Sequence, residues 1–216
     1  MIINRFKYIR KIKYFLKNYK RSFYVFNDLN DKSIFIDIGG NLGRVSQYVY
    51  DVFNPKIIEI YEPHNSLYSN LKTKFKGIEN ILIFNEAVSN VEAEGSLYLK
   101  TDSSSDLNLL EGSSLEVGKK NIDKNIFQKT HLISIQSIID KYDYIDCIKI
   151  DIEGHEYKIL EILFKNKSKI GKVVCEFHGT DEDINNNKNI EFRDDYELFR
   201  DKIMYHKNKK WLIDWV

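Results

Sequence analysis

One stretch narrows what this chain can fold into more than any other: Ser33-Ile-Phe-Ile-Asp-Ile-Gly-Gly-Asn-Leu-Gly-Arg-Val-Ser46. Ile34 to Ile38 is a short apolar run, the mark of a strand buried on both faces. It ends in Gly39-Gly40-Asn41-Leu42-Gly43, and beyond that Val45, Tyr48, Val49 and Val52 recur at helical spacing. A strand, a glycine turn and a helix start form a nucleotide-binding unit, because glycine lets the backbone approach a ligand and adopt φ > 0. A dinucleotide fold needs G-x-G-x-x-G so that a pyrophosphate can rest on the helix N-terminus. Counted from Gly39, the second and third required glycines fall on Asn41 and Arg44, so that pattern fails. Asp37, two residues ahead of Gly39, is poorly placed for a phosphate and well placed for a cationic amino group. The combination points to S-adenosylmethionine (SAM), a nucleoside with an amino-acid end.

The following segments keep an α/β rhythm. Ile57 to Tyr61 reads as a second parallel strand, closed by Glu62 about twenty residues after the glycines, where a carboxylate meets the two hydroxyls of an adenosine ribose. Pro63 breaks that strand, and a helix is expected from Asn65 to Phe75. A third strand, Ile81 to Phe84, leads into Asn85-Glu86-Ala87-Val88-Ser89. Ligands lie at the carboxyl ends of such strands, so Asn85 or Glu86 is in reach of an adenine amino group; the competing reading is a turn or cap. Residues 90–130 interrupt the rhythm. Gly95 to Lys100 alternates like a strand, and Ser/Asp/Gly-rich segments follow, among them Ser103-Ser-Ser-Asp106 and Gly112-Ser113-Ser114-Leu115. So long a loop in a compact domain is functional or mobile. It reads as an acceptor-binding lid inserted over about residues 93–130.

His131 to Ile135 is a short strand, with a helix near Ile135–Lys141. The second informative stretch is Tyr144-Ile-Asp-Cys-Ile-Lys-Ile-Asp151-Ile-Glu153-Gly154-His155-Glu156. Cys147 to Ile150 reads as a buried strand with Asp151 at its carboxyl end, and Ile159, Leu160 and Leu163 line an amphipathic helix. Lys149, Asp151 and Glu153 share a direction while strand alternation lasts. A lysine this deep needs a partner, because an unpaired buried charge is costly. A further strand, Lys172 to His178, delivers Glu176 and His178 at its exit. Two strand ends thus offer Asp151, Glu153, Glu176 and His178 toward one cleft. The tail reads as a polar loop (Asp181–Asn189), a helix (Glu191–His206) and a final Trp211-Leu-Ile-Asp-Trp-Val216.

Bulk properties mainly exclude. In a chain of 216 residues, the region 31–216 fits one domain. With 43% hydrophobic and 30% charged residues the chain is globular rather than disordered. A net charge of +1 exerts no global pull toward nucleic acid or membrane. Cys147 and Cys175 each lie in an apolar strand run, which suits free thiols in a reducing compartment. No apolar run is long enough to span a bilayer and the N-terminus has no secretory h-region, so a cytoplasmic location is expected. Residues 1–30 are basic, with Phe6, Ile9, Ile12, Leu16, Tyr19 and Phe23 on one helical face. That helix either packs on the domain or serves as a peripheral membrane or glycan-assembly contact.

Taken together, Phe35-Ile-Asp-Ile-Gly-Gly-Asn-Leu-Gly43, Tyr61-Glu62-Pro63, Asn85-Glu-Ala-Val-Ser89, Gly112-Ser-Ser-Leu115 and above all Ile148-Lys-Ile-Asp-Ile-Glu-Gly-His-Glu156 resemble the FkbM-type SAM-dependent methyltransferases, over roughly residues 33–178. The resemblance implies the class I, Rossmann-like α/β methyltransferase fold, with a mostly parallel seven-stranded sheet and helices on both faces. It implies O-methylation of a sugar in a glycan or natural product, with a sugar acceptor rather than nucleic acid as partner. It assigns the cofactor to Asp37, Gly39, Gly40, Asn41, Gly43, Glu62, Asn85, Glu86, Ala87 and Asp151. It gives catalysis to Asp151, Glu153 and His178, and the acceptor to Ser113, Ser114, His155 and Glu176. The family's usual alanine in the glycine turn is here Gly40, and no glycine-turned hairpin for the last two strands is visible after His178.

The implied reaction is an in-line displacement that depends on alignment and on a base for the hydroxyl proton. His178 has a suitable intrinsic pKa for that base, with Glu153 or Asp151 as alternatives. A Mg²⁺ held by Asp151, His178 and Glu176 ranks below metal-free catalysis, since the sequence shows no tight ligand cluster. Three other readings compete. Adenine-N6 methyltransferases carry Asn/Asp-Pro-Pro-aromatic where this chain has Asp151-Ile-Glu-Gly154; a small natural product is a further acceptor; and a non-catalytic binding module would keep the fold alone.

Overall fold

The computed structural model describes residues 26–100, 112–117, 122–176 and 178, and the backbone of three strands at 196–199, 203–206 and 209–214. Residues 1–25 of the basic N-terminal segment, the Ser103–Asp106 segment and the Asp181–Asn189 loop lie outside these residues. The chain alternates β1 (Ile34–Ile38), α1 (Arg44–Phe53), β2 (Ile57–Tyr61), α2 (Asn65–Lys74) and β3 (Ile81–Phe84). Then come β4 (Glu86–Ser89), β5 (Ala93–Lys100), β6 (Ile122–Ser134) and α3 (Ile135–Ile139). They are followed by β7 (Cys147–Ile150), α4 (Glu156–Lys165), β8 (Val173–Cys175), β9 (Tyr196–Phe199), β10 (Ile203–His206) and β11 (Lys209–Asp214).

The central sheet has the order β3-β2-β1-β7-β8-β11-β10-β9. It is an α/β fold with a mostly parallel sheet: only β10 runs against its neighbours, pairing antiparallel with β11 and β9. Period-two alternation sends successive strand residues to opposite faces. Ile36, Ile38, Ile148 and Ile150 pack on one side with Ile135, Ile138 and Ile139 of α3 and Ile159, Leu160 and Leu163 of α4. Phe35, Ile58 and Ile60 pack on the other with Val45, Val49 and Val52 of α1 and with Leu71 and Phe75. Phe26 joins that second side, its ring edge-on to Phe35 at 5.7 Å between centroids. Both cysteines are buried thiols outside any disulfide, and burial pushes the Cys147 thiol up to about 12. Among the described residues no helix is long and apolar enough to cross a membrane.

Three expectations change. The central sheet has eight strands rather than seven. The helix expected over Glu191–His206 is overturned: Tyr196–Phe199 and Ile203–His206 are strands. Aromatic and β-branched side chains suit a pleated surface, and the parallel pairing of β11 with β8 supplies an edge on which β10 and β9 add. The connection between β10 and β11 is Lys207-Asn208, without glycine, which hid the hairpin in the sequence. Lastly, the described residues of the 93–130 insertion are mostly sheet. β5 and β6 form a long antiparallel ribbon, and β4 joins β6 in parallel to complete a second, three-stranded sheet.

Candidate active site

The carboxyl ends of β1, β2, β7 and β8 meet at one edge of the sheet. The turn after β1 is held there by its own backbone, because the N–H groups of Gly39 and Gly40 both donate to the Tyr61 carbonyl at 3.0 Å. Gly39 has φ +79°, and a Cβ on it would lie 1.8 Å from the Asp151 carbonyl oxygen. The turn after β1 therefore presses directly against the exit of β7. At Gly40 a Cβ would lie 2.2 Å from Ile60 Cγ2, so a side chain there would have to displace Ile60.

Glu62, 6% exposed, closes β2 beneath that turn. Its Oε2 accepts the Asn41 N–H at 2.7 Å and its Oε1 accepts the His64 N–H at 2.8 Å. Each oxygen keeps a further lone pair for a hydroxyl donor. Burial pushes the Glu62 carboxyl up to about 7, against the two backbone hydrogen bonds and Lys149, which favour the ionised form. Two buried atoms beside it, Asn41 Oδ1 and His64 Nε2, have no hydrogen-bond partner among the described residues. Leaving such groups unpaired costs about 1–3 kcal/mol each. Spare acceptor capacity on Glu62 and unmatched polar atoms at its flanks fit a polar nucleoside ligand.

A ribose diol donates to the carboxylate, not to the acid. Binding of S-adenosylhomocysteine should therefore strengthen as pH rises through 7, by up to about tenfold between pH 6 and 8. Calorimetry on wild type and on Glu62→Gln reads this directly. The pH dependence attributable to Glu62 must vanish in the variant, and a parallel trend in both proteins would refute the assignment.

Asp37 departs from expectation. It is fully buried, and it faces protein groups rather than a ligand amine. Its Oδ2 accepts the Ser46 hydroxyl at 2.6 Å, and its Oδ1 lies 3.2 Å from Lys149 Nζ. Lys149 also donates to the Gly39 carbonyl at 2.7 Å and stands 3.5 Å from Asp151 Oδ2. Burial pulls the lysine pKa down, but Asp37 and Asp151 outweigh it and leave the ammonium above its ordinary value. The partner this strand lysine required is thus a pair of carboxylates from two strand ends.

Beyond Lys149, Asp151 and Glu153 at the exit of β7 meet His178 beyond β8. One ligand atom from each of these three lies within 4.8 Å of the others. His178 Nε2 is 3.6 Å from Glu153 Oε2 and 3.6 Å from Glu176 Oε1. Its Nδ1 is 3.0 Å from Oε1 of Glu156, which is fully buried. Burial pulls the imidazole pKa down, but the Glu156 hydrogen bond and the charges of Glu153, Glu156 and Asp151 prevail and push it up to about 9. Burial, then the Asp151 charge, raise the Glu176 carboxyl above its usual range. This gathering is tighter than the sequence suggested, and Glu153 within it sits in the left-handed region at φ +58°.

Glu156 was not singled out as a functional residue in the sequence. Besides holding His178, its carboxylate accepts the backbone N–H groups of Ile152 and Gly154 at 3.1 and 2.9 Å. An acid in the first turn of a helix was its only local signal.

Several expected ligand contacts are used inside the protein. Ser114, 1% exposed, donates its hydroxyl to the Glu153 carbonyl at 2.7 Å. His155 lies between Ser89 Oγ (2.9 Å from Nε2) and Glu116 Oε1 (2.7 Å from Nδ1). Both contacts clamp the insertion onto the turn after β7, while Ser113 beside them is half-buried. The Asn85 amide donates to the carbonyls of Glu62 and Pro63, so it supports the Glu62 turn. Glu86 pairs across the second sheet with His131 at 3.4 Å, and Ala87 is buried in β4. The Gln128 side chain of β6 bonds Pro63 and Asn65, tying the ribbon to the same turn.

A profile of the methyltransferase FkbM domain matches residues 37–207. No curated protein matches the chain. Among solved structures, the methyltransferase FkbM from Methylobacillus flagellatus KT superposes with a TM-score of 0.52 at 16% identity, covering 82% of this chain and 44% of that one. The chain thus spans less than half the length of that protein, and the likeness supports the fold. An rRNA methylase from Streptococcus thermophilus aligns with a TM-score of 0.47 at 11% identity over 87% of each chain.

Proposed function

Because this chain belongs to the FkbM methyltransferase family, we propose that it transfers a methyl group from SAM to a hydroxyl of a sugar in a glycan or glycoconjugate. The observation that carries the reading is the juxtaposition at one sheet edge of a buried ribose-type acid, Glu62, with the Asp151–Glu153–Glu176–His178 group. When bound, SAM supplies an electrophilic methyl on a sulfonium. Glu62 would hold its ribose, and the Gly39–Gly43 turn would shape the pocket wall. Asp37 acts indirectly, by fixing Lys149 against Asp151.

His178 keeps its proton at neutral pH, so accepting the acceptor's hydroxyl proton falls to a carboxylate. Glu176, half-buried beside His178 and with a raised pKa, is the best placed. Its role extends the acceptor contact expected of it. The acidity of this end of the site favours a neutral sugar over a phosphate backbone, which would be repelled. The cytoplasmic location, and a glycan-assembly contact through residues 1–30, belong to the same proposal.

Calorimetric titration with SAM on wild type and Glu62→Ala tests the cofactor step. Losing a charged ribose contact should weaken binding by about one to two decades. Methyl transfer from labelled SAM to a panel of glycans, with RNA and DNA as competitors, tests the acceptor. Labelling of RNA alone would overturn the sugar assignment.

A further inference from the structure

We propose that Asp151, Glu153 and His178 form a binding site for one divalent cation of the Mn²⁺ or Mg²⁺ kind, open on the side where an acceptor would enter. Their ligand atoms already lie within 4.8 Å of one another. In an octahedral shell with bonds of about 2.1 Å, neighbouring ligands are about 3 Å apart and opposite ones about 4 Å. Small side-chain rotations close the present spread onto that geometry. Two carboxylate oxygens and, once the cation has displaced the proton that His178 Nε2 otherwise carries, one imidazole nitrogen are a donor set for Mn²⁺ or Mg²⁺ rather than for a thiophilic metal.

Two features distinguish this from a chance gathering of surface acids. The three ligands come from two separate strand ends, and the imidazole directs Nε2 toward the carboxylates because its Nδ1 is held by Glu156 at 3.0 Å. A carboxylate behind a ligating histidine is the usual support that fixes its ring and tautomer. Glu156 is fully buried and locked by the Ile152 and Gly154 N–H groups, so it serves as that support and not as a ligand. Glu153 is also held in place, with its carbonyl accepting the Ser114 hydroxyl at 2.7 Å.

Three protein ligands leave room for two oxygens of the acceptor, which narrows the acceptor class to sugars with adjacent free hydroxyls. This use of the cation rests on the methyl-transfer reading; its binding does not. With the cation in place, a coordinated hydroxyl loses its proton to the Glu176 carboxylate. The oxygen lone pair forms the new O–CH₃ bond as the S–CH₃ pair returns to sulfur. S-adenosylhomocysteine is left, and Glu176 passes its proton to solvent.

The test is a Mn²⁺ titration of the full chain, following the free-ion signal by electron paramagnetic resonance. One Mn²⁺ should bind per chain and be displaced by Mg²⁺. Asp151→Asn and Glu153→Gln should each weaken it at least about tenfold, and Glu156→Gln by about 10–100-fold although it removes no ligand. Circular dichroism checks folding; should Asp151→Asn unfold, Glu153→Gln on the turn still decides. No binding at millimolar Mn²⁺, or equal binding in all variants, overturns the site. SAM calorimetry on the same samples separates the two ideas. SAM binding without Mn²⁺ removes the cation and keeps the methyltransferase, and Mn²⁺ binding without SAM does the reverse.

Discussion

Gly39→Ala should be the most damaging single-methyl change in this protein, costing more than about 4 kcal/mol and leaving little folded chain. Two effects add. The φ of +79° costs an L-residue about 1–2 kcal/mol. The new Cβ would also lie 1.8 Å from the Asp151 carbonyl, a backbone atom that cannot rotate away. Relief requires separating β1 from β7 at the sheet's centre, where Asp151 N–H donates to the Ile38 carbonyl at 3.0 Å. Gly77→Ala isolates the first effect. Gly77 has φ +81° with nothing within 4 Å of a Cβ, so its loss should stay near the conformational cost alone. Urea denaturation of both variants decides. Similar losses at the two positions would mean that the turn can yield, and that the close approach of β1 and β7 is not obligatory.

Lys149→Met should destabilise the fold by about 3–5 kcal/mol, because it strands the buried Asp37 carboxylate without its cation. Asp37 has no exposure, and Lys149 is its ion-pair partner at 3.2 Å. The Gly39 carbonyl loses its 2.7 Å donor in the same change. Methionine fills similar volume, so the loss reads charge rather than a cavity. Adding Asp37→Asn to Lys149→Met should recover part of the stability, since the stranded charge is then gone. A single-variant loss below about 1 kcal/mol, or a double variant weaker than the sum of its parts, would contradict the pairing.

The parallel strands were largely legible in the sequence. Ile34–Ile38, Ile57–Tyr61, Ile81–Phe84 and Cys147–Ile150 are apolar runs whose ends are marked by Gly39, Glu62-Pro63, Asn85 and Asp151, and each is a strand with those limits. The spacing of Val45, Val49 and Val52 likewise announced α1. The tail was misread because short aromatic and aliphatic segments satisfy either period, and pairing with β11 decided between them. Ser114 and His155 were read as open polar groups because exposure is not written in residue type.

What the sequence determined by itself was therefore local: the strand–glycine turn–helix unit, the acid closing β2, and the acids and imidazole at the ends of β7 and β8. Periodicity, turn chemistry and strand direction act over a few residues and need no partner. Only the tertiary structure decided what those groups face. Lys149 reaches the Gly39 carbonyl across 110 residues, and His155 reaches Ser89 across 66. A buried charge is tolerated only where a distant segment supplies its counter-charge and hydrogen bonds, so the state of Asp37, the support behind His178 and the clamp on the insertion existed only once the sheet had assembled.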